Sequence, residues 1–110
     1  MEKKSKIFTY LGFAIKAGKL KTGLNTIETV KKGAYLVLVC KTASENTAKE
    51  GVRAAERFRC PAMQTVKQTL GELTNVPNLK IAAVTDKNLA EAIVKYQEEE
   101  LTGLTGGHKG

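Results

Sequence analysis

The sequence has few of the residues that build disulfide frameworks, metal sites and aromatic stacking surfaces. Its 110 residues include two cysteines, one histidine and no tryptophan, and 5% of them are aromatic. The cysteines, Cys40 and Cys60, are too few for a disulfide framework and are not in metal-ligand spacing. We therefore expect both to be buried free thiols, and we expect no bound metal or cofactor.

The shortage of histidine also argues against catalysis. His108 is the only histidine, and it lies in a glycine-rich terminal segment. A cysteine or serine nucleophile needs a base beside it, and no two acidic residues are spaced as an acid and base pair. The segments GLNTIE, 23–28, and GHKG, 107–110, lack the strand, spacing and helix of a phosphate-binding loop. The residues therefore favour a binding protein over an enzyme.

Long apolar runs are missing as well. None approaches the roughly 20 residues that cross a bilayer, and the first lysines precede no signal-peptide core. The length suits one domain, and 42% hydrophobic with 26% charged residues is typical of a folded soluble protein. We expect a domain over 1–100, a flexible tail over 101–110, a cytoplasmic location, no membrane partner and a monomer.

Positive charge, by contrast, is concentrated in one third of the chain. The formal net charge is +7, of which residues 1–32 carry +6 and residues 33–110 carry +1. A charge that served only solubility would have no reason to gather there, so the asymmetry predicts a polyanionic partner for the N-terminal third. A basic tail with solvated helix faces remains an alternative, and charge alone does not separate nucleic acid from an anionic membrane.

Segments of helical and strand period alternate along the chain. Helices are predicted over 5–18, 23–33, 44–58, 66–73 and 86–96, and strands over 20–21, 35–40, 62–65 and 81–85. The continuous apolar runs at 35–40 and 81–85 are typical of strands covered on both faces. The alternation predicts an α/β fold, a three-layer α/β/α sandwich around a central mixed sheet of about four strands.

The stretch AGKLKTGLNT, 17–26, joins the first helix to the second. A helix that begins at Gly23 aims unpaired backbone N–H groups at its N-terminal side, where a phosphate or base acceptor can bind. Asn25 offers both a donor and an acceptor, and two lysines flank it, Lys19 and Lys21. A plain helix start capped by Thr22 is the alternative.

Several segments in order resemble the ribosomal-protein family of the archaeal L-seven-Ae type: LGFAIKAGKLKTG, VKKGAYLVLVCKTASENTAK, LGELT and IAAVTDKNLAEAI. They are similar in particular to a small bacterial branch that is often encoded with a translation initiation factor. The resemblance covers nearly all of 5–96, and LGxAxxAGKLxxG and ASxNT are its specific parts. It implies the same sandwich fold in a non-catalytic protein that binds structured RNA, typically kink-turns, with ribosomal RNA and ribosomal proteins as partners.

The resemblance also implies where RNA is contacted. The family uses the N-terminus of the second helix, a glycine, asparagine and glutamate motif, a lysine one turn later, and the loop before the last strand. Gly23 and Asn25 match the motif. Val76 and Pro77 lie in the loop, which supplies apolar contacts beneath unstacked bases.

Three positions depart from the family pattern. Thr26 replaces the glutamate, and a shortened spacing puts the lysine position on Glu28 or Thr29. Lys41 follows the buried strand where the family often has acidic residues, which adds positive charge beside the predicted site. The predicted RNA-binding residues are Lys19, Lys21, Thr22, Gly23, Leu24, Asn25, Thr26, Glu28, Lys41, Val76 and Pro77.

Two other functions remain open at this point. A protein adaptor could keep the same fold and use the basic face on an acidic partner, and an enzyme with an unrecognised site is a third hypothesis. Binding of single strands by base stacking is not expected, because Phe8, Tyr10 and Phe58 are interpreted as core residues.

Overall fold

A computed structural model describes residues 6–31, 33–96 and 101–104. The elements are α1 Lys6–Lys16, β1 Leu20–Thr22, α2 Leu24–Glu28, β2 Leu36–Val39, α3 Glu45–Phe58, β3 Ala62–Thr65, α4 Leu70–Thr74, β4 Ile81–Val84, α5 Lys87–Lys95 and β5 Leu101–Gly103. The strands form one mixed sheet in the order β1-β4-β2-β3-β5. Among these described strands, only β2 and β3 pair in parallel. The predicted α/β class is confirmed, with five strands rather than about four.

Strand β2 shows why the sheet needs helices on both faces. All four of its residues are buried, and alternate side chains point to opposite faces of a strand. Leu36 and Leu38 belong to one core, and Val37 and Val39 belong to the other. The apolar run therefore becomes a central strand, paired with β3 on one side and with β4 on the other.

The two cores differ in the size of their side chains. The core beneath α1, α4 and α5, here called the large core, is filled by long aliphatic residues such as Ile7, Leu11, Leu70, Leu73 and Ile93. The core beneath α2 and α3, here called the small core, contains five alanines: Ala34, Ala54, Ala55, Ala62 and Ala83. Small side chains let the α2–α3 layer lie close to the sheet.

Gly51 in α3 lies directly against the sheet. A Cβ atom at this position would lie 2.7 Å from Val39 Cγ2, which is shorter than any ordinary carbon contact. Glycine is therefore required by packing here, although it weakens a helix interior.

Side-chain caps start the helices where the sequence predicts them. Ser44 Oγ accepts a hydrogen bond from the Thr47 N–H at 3.1 Å, and Asp86 Oδ2 accepts from the Leu89 N–H at 2.9 Å. Gly18 follows α1 with φ 70°, a conformation that suits glycine and ends the helix as predicted. Ser5, the predicted cap of α1, lies outside the described residues.

The second helix is shorter than predicted. It ends at Glu28 instead of continuing to Gly33. Thr29 explains the early end, because its N–H and its Oγ1 both donate to the Thr26 carbonyl, at 3.0 and 2.7 Å. A hydroxyl that bonds locally to the backbone competes with helix continuation, and the β-branched Val30 that follows is a weak helix former.

The fourth helix also begins later than predicted, at Leu70 rather than Val66. Thr69 sets this boundary through a capping box. Its hydroxyl accepts from the Glu72 N–H at 3.1 Å, and the Glu72 carboxylate accepts from the Thr69 N–H at 2.9 Å. Val66 is left exposed before the helix.

The prediction of a flexible tail from 101 is wrong for its first residues. Leu101–Gly103 form β5, which pairs antiparallel with β3 and brings Gln64 opposite Thr102. Leu101 is 3% exposed and packs in the large core, which explains why the segment docks. The rest of the predicted tail, 105–110 with His108, lies outside the described residues, as does the glutamate run at 98–100.

The three aromatic residues predicted to lie in the core are half-buried at its edges. Phe8 and Tyr10 lie against the large core and Phe58 against the small core. The Tyr10 ring stacks on that of Tyr96, with centroids 5.8 Å apart. Among the described helices, none has the length and apolar character needed to cross a membrane.

Candidate nucleic-acid interface

The sheet topology gathers the candidate segments at one end of the molecule. Strand β4 runs antiparallel to β1 and to β2, and β3 is parallel to β2. The carboxyl ends of β1, β2 and β3 therefore lie at the same end of the sheet as the start of β4. In open α/β sheets, ligands bind outside the carboxyl ends of the strands. Gly23 after β1, Lys41 after β2 and Lys80 before β4 all lie at this end.

Gly23 fixes the turn between β1 and α2. Its φ of 88° and ψ of 143° belong to a region that favours glycine, and its N–H donates to the Ile81 carbonyl at 3.0 Å. Gly23 is itself the N-cap, and no side chain of the described residues caps α2. Thr22, the cap in the alternative of a plain helix start, is therefore not the cap.

A groove lies between this turn and the loop before β4, and we call it the junction groove. Its volume is about 400 Å³. Residues from the β1–α2 turn form one wall, and residues of the loop and of the start of β4 form the other. They include Thr22, Gly23, Leu24, Val76, Pro77 and Lys80. The structure therefore brings together two segments that lie far apart in the sequence.

The loop is held in place by the helix before it. A Cβ atom on Gly71 of α4 would lie 2.9 Å from the Val76 carbonyl oxygen, so the loop runs directly over this glycine. The Val76 N–H also donates to Thr74 Oγ1 at 3.3 Å, and that hydroxyl donates to the Leu70 carbonyl at 2.8 Å. Val76 is half-buried and Pro77 is exposed, so the loop presents apolar surface to the groove.

Of the two lysines at this end, Lys80 and not the predicted Lys41 lines the junction groove. Lys80 Nζ donates to Thr42 Oγ1 at 2.7 Å. Lys41 Nζ instead donates to the Lys67 carbonyl at 3.1 Å, beside the loop after β3. The sequence signal for Lys80 was its place between a turn and a central strand, at the end of the sheet where loops meet.

A second groove lies on the other side of α2, and we call it the basic groove. Its volume is about 370 Å³. Its lining combines three lysines with three threonines: Lys19, Lys21, Lys31, Thr26, Thr29 and Thr85. No aspartate or glutamate of the described ranges lines either groove.

The predicted site residues are therefore divided by α2. Thr22, Gly23 and Leu24 line the junction groove with the loop residues, whereas the lysines of 19–21 and Thr26 line the basic groove. Asn25 and Glu28 are exposed on α2 and line neither groove. Since α2 has only five residues, its dipole is small, and the lysines supply most of the positive potential.

Two cysteines have opposite electrostatic environments. Burial raises the pKa of Cys40, but hydrogen bonds from Thr42 and from the Leu70 N–H, together with the charge of Lys80, outweigh it. The net effect is a pKa below the ordinary value of 9.0. Burial alone raises the pKa of Cys60 to about 11. Both are free thiols, Cys40 buried and Cys60 half-buried.

Hydrogen bonds link Lys80 to Cys40. Lys80 Nζ donates to Thr42 Oγ1, which lies 3.1 Å from Cys40 Sγ.

Within the part of the chain that the structure describes, no three histidine, cysteine, aspartate or glutamate side chains come together as metal ligands.

The comparisons with known proteins bear on the fold and not on the site. No protein-family model matches the chain, and no curated protein matches it. A solved structure of a protein of unknown function from Bacillus halodurans is similar, with a TM-score of 0.70 and 19% sequence identity. The match covers 84% of this chain and 97% of that one, so the two share a fold.

Proposed function

We propose that the protein is a non-catalytic RNA-binding protein that recognises kink-turn elements of structured RNA, in the ribosome or elsewhere in translation. The observation that carries this proposal is the junction groove. It joins the glycine turn after β1 to an apolar loop, and a second groove rich in lysine lies across the same helix.

The apolar loop supports the choice of RNA over a regular duplex. Proteins that read RNA mostly contact bases that are unpaired or displaced from the helix. Val76 and Pro77 offer such a base an apolar surface, held in place by the close contact between Gly71 and the loop. The exposed amide of Asn25, two residues after the turn, can donate to and accept from a base edge.

The charge distribution supports a backbone contact on the same surface. Lys80 at one groove and Lys21 at the other provide ammonium groups for phosphates, which position a nucleic acid without reading its sequence. Glu28, which is near the lysine position of the resembled family, is exposed and lines neither groove. Its carboxylate therefore lies outside both grooves, and no other acidic residue of the described part of the chain lines them.

The proposal is tested by measuring binding to three RNAs at near-physiological salt: a kink-turn, a matched duplex without the kink, and a single strand. We expect clear preference for the kink-turn. Asn25→Ala should reduce that preference, because it removes a base contact, whereas Lys21→Ala should weaken binding to all three RNAs about equally. Lys95→Ala, at the end of α5, is the matched control and should change little.

Equal weak binding to all three RNAs would contradict the proposal. The lysine-rich surface would then be assigned to an acidic protein partner, the adaptor function. Unchanged affinity in both Asn25→Ala and Lys21→Ala would instead show that the RNA binds elsewhere on the molecule.

A further inference from the structure

We propose that the basic groove holds one ribose–phosphate strand of the bound RNA and recognises its 2′-hydroxyl groups through Thr29 and Thr85. This inference rests on the proposed function and adds to it a specific contact on the far side of α2. The partner chemistry follows from the hydrogen-bonding capacity of the groove.

The lysines define what the groove attracts. Three lysines, Lys19, Lys21 and Lys31, line a volume of about 370 Å³ that no described aspartate or glutamate lines. An ammonium group only donates hydrogen bonds, and a phosphate only accepts them. The groove therefore suits a ligand with several phosphates, such as a nucleic-acid strand.

The threonines define what else that ligand must carry. Thr29 Oγ1 donates to the Thr26 carbonyl at 2.7 Å, and Thr85 Oγ1 donates to the Lys19 carbonyl at 3.2 Å. Each hydroxyl has one hydrogen, and in both residues it is already used within the protein. With these bonds in place, the two oxygens act towards a ligand as acceptors.

A phosphate cannot satisfy such acceptors, but a ribose can. The 2′-hydroxyl of RNA is a donor that DNA lacks, and it is the group by which a protein distinguishes RNA from DNA. A strand of RNA presents phosphates and 2′-hydroxyls in alternation. Lysine donors and threonine acceptors on one groove match that alternation.

The size of α2 allows one RNA to contact both grooves. Five residues at about 1.5 Å rise give a helix of only about 7 Å, and residues at its two ends line the two grooves, so the grooves are neighbours. Gly23 and Leu24 face the junction groove, and Thr26 and Thr29 face the basic groove. A strand that leaves the kink can therefore pass over α2 into the basic groove.

The test is a scan of single 2′-deoxy substitutions along the stem strands of the kink-turn RNA. For the wild-type protein we expect one or two adjacent positions to lose about threefold to tenfold in affinity, the value of one hydrogen bond. Thr29→Val and Thr85→Val keep the shape of the side chain and remove its hydroxyl, so each variant loses the acceptor oxygen together with one bond to a backbone carbonyl. If one of these threonines contacts a given 2′-hydroxyl, its valine variant should show no penalty for deoxy substitution at that position.

Two controls make the result specific. Thr102→Val, on the exposed side of β5, should keep the full deoxy penalty. Lys31→Gln should weaken binding of every RNA. It should also make the negative slope of log affinity against log salt less steep, by about 0.7 to 0.9 for each phosphate that has lost its ammonium partner. Circular dichroism and a urea midpoint confirm that each variant is folded.

The outcomes separate this inference from the proposed function. The inference is wrong and the proposed function stands if the kink-turn is preferred but no 2′-deoxy substitution reduces affinity. The same holds if the deoxy penalty in both valine variants equals that in the wild-type protein. If the three RNAs bind equally, both are wrong.

Discussion

The two faces of the sheet are built from different side chains. The large core, which lies beneath α1, α4 and α5, is filled mainly by leucine and isoleucine. The small core consists mainly of alanine and valine, with two isoleucines, and α3 lies so close to the sheet that Gly51 has no room for a Cβ atom. Most of the buried apolar volume therefore lies on the first face.

The two grooves lie around α2, which belongs to the second face. That helix buries only Ile27, and its exposed residues Asn25 and Thr26 can change without disturbing either core. The difference teaches that stability and binding draw on separate residues. Substitutions in the cores should change the free energy of unfolding, and substitutions on α2 should change binding.

The largest test of this comparison uses neighbours on one strand. Leu38 and Val37 are both fully buried in β2 but face opposite cores. We expect Leu38→Ala to reduce the free energy of unfolding by about 3 to 4 kcal/mol and Val37→Ala by about 2 kcal/mol, because the leucine leaves the larger cavity. Urea unfolding measures both. Equal losses would show that the small core is as important for stability as the large one.

A smaller effect is expected at the close approach of α3. Gly51→Ala should reduce the free energy of unfolding by about 1 to 2 kcal/mol, since overpacking against Val39 costs more than the roughly 1 kcal/mol that alanine gains in a helix. Thermal unfolding of the variant checks the sign. A stabilised variant would mean that α3 can move outwards at no cost.

The two cysteines, which border different cores, should respond oppositely to pH. Because the pKa of Cys60 is raised to about 11, its native thiol stays protonated where the unfolded thiol, with a pKa of 9.0, has ionised. This contribution to stability is complete below pH 9.0 and is lost as pH rises towards 11, by about 1 kcal/mol at pH 10. The pKa of Cys40 is lowered, so its contribution increases with pH.

Urea unfolding at pH 8 and pH 10 measures this difference. The loss between the two pH values should be smaller in Cys60→Ala than in the wild type, and larger in Cys40→Ala. A Cys60→Ala variant with the same pH dependence as the wild type would show that Cys60 ionises equally in both states.

The smallest effect is expected at Gly12, a half-buried residue of α1 on the large-core face of the sheet. Apart from its chain neighbours and the backbone of its own helix, no described atom lies within 4 Å of a Cβ atom built at this position, in contrast to Gly51. Gly12→Ala should therefore stabilise the protein by about 0.5 to 1 kcal/mol through helix propensity alone. A loss of stability there would mean that glycine is needed in α1 for a reason other than packing.

The sequence predicted the parts of the fold whose signals are local. Continuous apolar runs identified β2 and β4, and the caps Ser44 and Asp86 began their helices as predicted. It did not predict β5, because three residues of mixed polarity become a strand only when β3 offers them an edge. The predicted length of α2 was also wrong, because the Thr29 hydroxyl donates to the Thr26 carbonyl and ends the helix early.

The candidate site was predictable only in part for the same reason. Glycine and lysine around residue 23 are visible as a local cluster, and Val76 and Pro77 were named through the family resemblance alone. Lys80 was missed, because its place in the junction groove depends on how β4 pairs with β1. Lys41 was predicted to lie beside the site, but its side chain is hydrogen-bonded to the Lys67 carbonyl instead.

The pairing of β1 with β4 has a kinetic consequence. Leu20–Thr22 meet Ala82–Val84, partners that lie most of the chain apart, whereas β2 and β3 are joined by α3 alone. Contacts between distant segments form later in folding because closing a long loop is entropically costly. The junction groove is therefore expected to form late in folding. During synthesis, a chain in which α2 is already complete would lack this groove until β4 has paired with β1.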